Sequence, residues 1–137
     1  MTVESFLDTN ILVYAAAGGG PEEAKRNRAL ELIEKEDFGL SAQVLQEFYV
    51  TVVSRVAMPL PPVEALEWIE QFQAFPCVSI DSGLVKIAIA TSVRHRISYW
   101  DGAIVAAAEE LGAKTLYSED LNHGQKYGAV RVCNPFR

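Results

Sequence analysis

Short apolar runs alternate along this chain with longer segments whose apolar residues recur every three or four positions. Residues 3–7, 38–41, 78–80, 114–117 and 130–133 are runs of the first kind and predict strands. The longer segments predict helices. Residues 10–17 (NILVYAAA) start one, and Pro21 with Glu22 and Glu23 behind it starts the next, whose stripe is Ala29, Leu32 and Ile33. Ser41 is placed to cap a helix over 42–55, with Leu45, Phe48, Tyr49 and Val52 inward. A helix over 63–75 turns Leu66, Ile69 and Phe72 inward and stops at Pro76. Asp81 or Ser82 caps another that runs to Arg94, with Leu84, Ile87, Ala88 and Thr91 in register. Residues 98–100 lead into a helix over 101–111, with Ile104, Ala107, Ala108 and Leu111 inward and Gly112 closing it.

Strands alternating with helices predict a three-layer α/β/α sandwich around a central parallel sheet. The chain shows no repeat and no second core, so residues 1–137 read as a single domain. Right-handed crossovers would put every strand's C-terminal end on one edge, where ligand sites of such sheets lie. The tract Gly18-Gly19-Gly20 is not a phosphate loop, because no Gly-Lys-Ser/Thr follows; it reads as a flexible connection. Residues 58–62 (MPLPP) read as a stiff linker.

Charge narrows the partners. The formal charge is −6 and the pI about 4.9, which argues against a broad basic face for gripping duplex DNA. Nucleic acid stays open, since a metal can bridge phosphates to carboxylates and a second chain can bring positive charge. Cys77 and Cys133 lie in short apolar runs and read as buried free thiols of a reducing compartment. The start MTVESFLDTN lacks the pattern of a signal peptide, and no run approaches the ~18 apolar residues of a membrane span. The expectation is a soluble, cytoplasmic domain.

Four carboxylates stand at the predicted strand ends and helix turns: Asp8, Glu47, Asp101 and Asp120. Each has a plainer reading. Asp8 is equally compatible with an Asx turn, Asp101 taken alone with a helix N-cap, and Asp120 with a solvated loop. Glu47 differs, because its neighbours on the helix are nearly all apolar and a carboxylate there needs a partner or a metal. Gathered at one edge, the four would repel one another by several kcal/mol unless a cation or raised pKa values relieved them. Oxygen donors in that number, with no thiolate or imidazole set beside them, point to Mg²⁺ or Mn²⁺. Asp81 reads as a cap, His95 and the short basic clusters as surface, His123 as structural, and Trp68 and Trp100 as packing, although Tyr99-Trp100 beside Asp101 is well placed to line a groove.

Together these residues form a pattern. Asp8-Thr9-Asn10, Glu47 on an apolar helix, Tyr99-Trp100-Asp101 running into IVAAA, Leu116 to Leu121 (LYSEDL) and the closing Asn134-Pro135-Phe136 resemble the PIN-domain family. Within it they look most like the VapC-type toxins of toxin–antitoxin pairs, from residue 5 to residue 136. The resemblance implies a metal-dependent endoribonuclease whose acidic quartet is Asp8, Glu47, Asp101 and Asp120, with Glu119 a lesser candidate for the fourth place. Asp8, Asp101 and Asp120 would hold Mg²⁺ or Mn²⁺, and Asn10 and Ser118 match positions that hold the acids by hydrogen bonds. It also implies an RNA substrate, a homodimer, and a cognate antitoxin whose tail enters the site. The competing reading is a phospho-receiver-like regulatory module with Asp81 as acceptor. Against it, Asp8 stands single after the first strand, and Cys133-Asn134-Pro135, not a lysine, follows the last. A pure protein-binding domain would show no metal dependence.

Overall fold

The computed structural model describes residues 2–137. The elements follow in the order β1 (Ser5–Leu7), α1 (Thr9–Ala17), a 3₁₀ turn (Gly20–Glu22), α2 (Glu23–Lys35), β2 (Phe38–Ser41), α3 (Ala42–Ser54) and α4 (Pro62–Phe72). Then come β3 (Cys77–Val78), α5 (Ser82–His95), α6 (Tyr99–Glu110), β4 (Thr115–Tyr117), β5 (Lys126–Tyr127) and β6 (Val130–Cys133). The sheet runs β3-β2-β1-β4-β6-β5. All neighbours pair in parallel except β5 with β6, so the layers are α/β/α around a mostly parallel sheet. Among the described residues no helix is long and apolar enough to cross a membrane.

The central strands are buried on both faces, which is why SFL and FGLS show no alternation. Leu7 registers with Tyr117 across the β1–β4 pair. The residues that follow them, Asp8 and Ser118, therefore leave the sheet side by side. Around the strands Phe6, Leu12, Phe38, Leu40, Phe48 and Leu116 form the fully buried core. Helix α6 is buried from Gly102 through Ala108, and α5 packs along it. Gly102 allows that approach: a Cβ there would stand 2.8 Å from the Ala88 carbonyl oxygen and 2.8 Å from Ser92 Cβ.

Several expectations need correction. On α3 the buried residues are Gln43, Val44, Phe48 and Val52, while Tyr49 is exposed. On α4 it is Ala65, not Leu66, that faces inward, and Leu66 is half exposed. On α5 Leu84, Ala88 and Thr91 are buried but Ile87 is exposed. All three helices have one packed flank, and a stripe read too wide takes in the residue at its edge. Strand β3 begins one residue earlier than expected and is an edge strand, so Cys77 is exposed rather than buried; Cys133 is half-buried. Within the expected connection Gly20–Glu22 form a 3₁₀ turn, while Gly18 and Gly19 are irregular. Strand β5 was not expected at all; Gly128, with φ +59°, makes the tight turn that pairs it with β6.

Candidate active site

Asp8 is the N-cap of α1 and stands directly beyond β1. Its Oδ1 accepts the Thr9 backbone N–H at 2.7 Å and its Oδ2 accepts the Ser118 hydroxyl at 2.8 Å. The carboxylate is buried, and burial is the main reason its pKa rises from an ordinary 3.8 to about 6. The bonds from Ser118 and Thr9 oppose the rise, and the charges of Asp120 and Glu47 add to it. Asp8 thus does the plain capping work and also feels two of the other acids.

Glu47 sits on α3 at the half-buried border of its packed flank. Its Oε2 accepts the Thr9 hydroxyl at 3.0 Å, and its Oε1 accepts Gln43 Nε2 at 3.0 Å. The same Gln43 amide donates to the Trp100 carbonyl at 3.1 Å. Gln43 is therefore a tie between α3 and the start of α6, and with Thr9 it was not singled out in the sequence. The i, i+4 spacing of Gln43 and Glu47 was the available signal.

Asp101 lies in the first turn of α6 but does not cap it. That role belongs to Ser98, whose Oγ accepts the Asp101 N–H at 3.1 Å. The Asp101 side chain is left for other use, and its charge reaches Asp120. Asp120 is exposed beyond β4, and its own N–H donates to Ser118 Oγ at 3.2 Å. Its pKa is raised, first by desolvation, then by the charges of Asp101, Glu119 and Glu47, with the Asn10 amide opposing.

Asn10 is half-buried on the first turn of α1. Both of its amide atoms are shut off from solvent, and among the described residues neither makes a hydrogen bond of ordinary geometry. Its amide dipole nonetheless lies close enough to act on Asp120. Ser118 is fully buried.

Glu119 turns away from this group. It accepts Lys25 Nζ at 2.5 Å and the Tyr14 hydroxyl at 2.6 Å. Burial would raise its pKa, but the bonds from Lys25 and Tyr14 carry it below the ordinary value. The pair pushes Lys25 up to about 12. Tyr14 in turn meets Phe136 edge to face at 5.1 Å, which anchors the closing Asn134-Pro135-Phe136. His123 Nδ1 accepts the Asn134 N–H at 2.9 Å, a tie between loop and chain end. His95, expected at the surface, is half-buried against Tyr127 at 5.3 Å.

Asp81 caps α5, accepting the Leu84 N–H at 2.8 Å. It follows the edge strand β3 and does not line the cleft described next, so nothing in the fold presents it as an acceptor at the central edge.

A cleft of about 1330 Å³ opens beside the acids. Its lining includes the polar Thr9, Asn10, Glu47 and Asp120, the apolar Val13, Ala17, Val50 and Met58, and Arg55. Of the four carboxylates Glu47 and Asp120 line it; Asp8 feels the charges of both, and Asp120 those of Asp101 and Glu47. Among the described residues, however, no three His, Cys, Asp or Glu side chains are drawn together tightly enough to hold an ion as they stand. Hydrogen bonds from Thr9, Gln43 and Ser118 hold Asp8 and Glu47 instead.

Comparison with known proteins fits this geometry. The model of the family described as PIN domain matches residues 5–128. The chain belongs to the PIN-domain family. No curated protein matches it. Among solved structures, this PIN domain is similar to Mycobacterium tuberculosis VapC20, described as a Sarcin-Ricin loop cleaving toxin: TM-score 0.68, 19% identity, over 85% of this chain and 90% of that one. It is also similar to a toxin–antitoxin complex from Klebsiella pneumoniae, with TM-score 0.70 and 16% identity over 96% of this chain and 98% of that one. A third similar structure is VapBC2 from Rickettsia felis, bound to a DNA fragment from its promoter, with TM-score 0.63 and 17% identity over 93% and 96% of the two chains. At such identities the likeness speaks for the fold of this PIN domain.

Proposed function

We propose that this PIN domain is a metal-dependent endoribonuclease that cuts RNA phosphodiester bonds, and that it acts in the cytoplasm as the toxin of a toxin–antitoxin pair. One observation carries the reading: Asp8 and Asp120 lie beyond the neighbouring strands β1 and β4, Glu47 is tied to Thr9 beside Asp8, the charge of Asp101 reaches Asp120, and Glu47 and Asp120 line the cleft. The similarity to a Sarcin-Ricin loop cleaving toxin and to toxin–antitoxin complexes supports both the substrate and the partner. A homodimer is proposed on the same footing.

A divalent ion suits the donors present. They are hard carboxylate oxygens, two with raised pKa values, next to a buried Asn10 amide that lacks a hydrogen-bonding partner among the described residues. Asp8, Asp101 and Asp120 would hold Mg²⁺ or Mn²⁺. Such an ion supplies an acidified water and draws charge from the phosphoryl oxygens. The chain's own residues do the rest. Ser118 and Thr9 keep Asp8 ionised and aimed, and Glu47, steadied by Thr9 and Gln43, orients the attacking water and takes up its proton. Attack in line on phosphorus then expels the opposite ribose oxygen, which takes a proton from solvent to leave as a hydroxyl. Positioning and electrostatics account for the chemistry, with no covalent intermediate on the protein.

The test is cleavage of an end-labelled RNA by the purified chain. Cutting in Mg²⁺ or Mn²⁺ that stops with EDTA is expected, with a loss of roughly a hundred-fold or more in Asp101→Asn at unchanged circular dichroism. Undiminished cleavage by Asp101→Asn removes the acids from the reaction. Phosphorylation of Asp81 by acetyl phosphate, with no RNA cleavage, would favour the receiver reading instead.

A further inference from the structure

Trp100 is 64% exposed, an unusual position for the largest apolar side chain in a folded domain. The other tryptophan, Trp68, behaves ordinarily: it is half-buried and packs against Phe72 at 5.8 Å. Trp100 lies on the rim of the cleft that Glu47 and Asp120 line, and it directly precedes Asp101. It is not loose. Tyr99 supports its ring edge to face at 5.0 Å and 81°. Its carbonyl is held by the Gln43 amide that also holds Glu47. A flat apolar ring is thus fixed in register with the acids but given nothing to cover its face.

We propose that Trp100 is a stacking platform for an unpaired base next to the phosphate that is cut, so that it positions single-stranded RNA and selects against duplex. The inference rests on the nuclease reading. Every base has a π-face, so such a platform reads strandedness more than sequence. Bases inside a duplex are already stacked on one another and cannot reach it. In this role Trp100 transfers no proton; it sets which phosphate faces Glu47 and Asp101.

Trp68→Phe leaves Trp100 as the sole indole and a clean fluorescence reporter. Titration of that chain with a short single-stranded RNA in Mg²⁺ should quench the indole, while the same sequence as a blunt duplex should not. Trp100→Ala should weaken binding of the single strand about ten- to hundred-fold, and Trp100→Phe should restore most of it. An RNA abasic at the stacked position should bind wild type as poorly as Trp100→Ala binds the intact strand, with no further loss when the two changes are combined. Additive losses, or quenching by duplex and single strand alike, overturn the proposal while wild-type cleavage keeps the nuclease reading. Quenching by a purified antitoxin but by no RNA overturns it in favour of a protein contact. Failure of wild type to cut any RNA removes the reading beneath it. Because Trp100 is exposed, truncating it opens no cavity, and matched circular dichroism separates loss of binding from loss of fold.

Discussion

The hydroxyl of Ser118 donates to Asp8 Oδ2 at 2.8 Å, joining two residues 110 positions apart at the ends of neighbouring parallel strands. Ser118 also accepts the N–H groups of Asp120 and Leu121, so one buried hydroxyl shapes the loop that carries Asp120 and steadies the carboxylate of Asp8. Ser118→Ala removes that donor from a buried acid. Loss of about 1–3 kcal/mol of stability is expected. The pKa of Asp8 should climb further, because the bond from Ser118 lowers it. Thermal denaturation and the acid limb of the pH–rate profile check this: the midpoint should drop and the limb should move to higher pH.

Asp8 makes the metal-free protein pH-sensitive in a defined direction. Its folded pKa, about 6, lies above its ordinary 3.8. The fold therefore binds the proton more tightly than the unfolded chain does, and the contribution of Asp8 is most favourable below about pH 4. Stability is lost as pH rises through the window from about 4 to about 6, and the difference corresponds to roughly 3 kcal/mol at most. In EDTA, Asp8→Asn should accordingly raise the melting temperature at pH 7 or leave it unchanged, and the gain should vanish near pH 4. A large fall at pH 7 would mark Asp8 as a purely structural cap.

Gln43 couples the general-base candidate to the helix that carries Asp101. Gln43→Leu keeps the bulk but leaves the Trp100 carbonyl and one Glu47 oxygen without their donor. A cost of about 1–3 kcal/mol is expected, together with a fall in kcat larger than the rise in KM, because Glu47 loses its aim. Steady-state kinetics alongside denaturant titration separates the two effects.

Gly102→Ala places a methyl group against the α5 backbone at 2.8 Å. Overpacking of this kind costs about 1–3 kcal/mol. Because Asp101 is the adjoining residue, activity should fall together with the denaturation midpoint. An unchanged midpoint would mean that α5 yields without cost.

Much of this was legible in the residues themselves. The short apolar runs announce a parallel sheet because helical stripes alternate with them along the chain. Asp8 and Asp120 could be set beyond the strands' C-terminal edge because each comes after a strand-like run. Glu47 stood out as a charge on an apolar helix. What could not be read were contacts made by short polar side chains across the fold. Thr9 and Gln43 become ties to Glu47 only once α1, α3 and α6 are assembled, and Glu119 parts from Asp120 only because Lys25 and Tyr14 come to meet it. The edges of helical stripes were misread at Tyr49, Leu66 and Ile87, since each lies one step from the packed flank and hydropathy is blind to that step. Cys77 looked buried from its neighbours, yet an edge strand turns it outward.

Binding of Mn²⁺ to the purified chain, followed by calorimetry at pH 6, where Asp8 is about half protonated, and again in buffers of differing ionisation enthalpy, tests the acidic pocket most directly. Saturable binding with release of protons is expected, since carboxylates with raised pKa values must ionise to coordinate the ion, and Asp8→Asn and Asp101→Asn should each abolish or sharply weaken it. Equal Mn²⁺ binding by wild type and both variants, or none by any of them, would contradict a shared metal site.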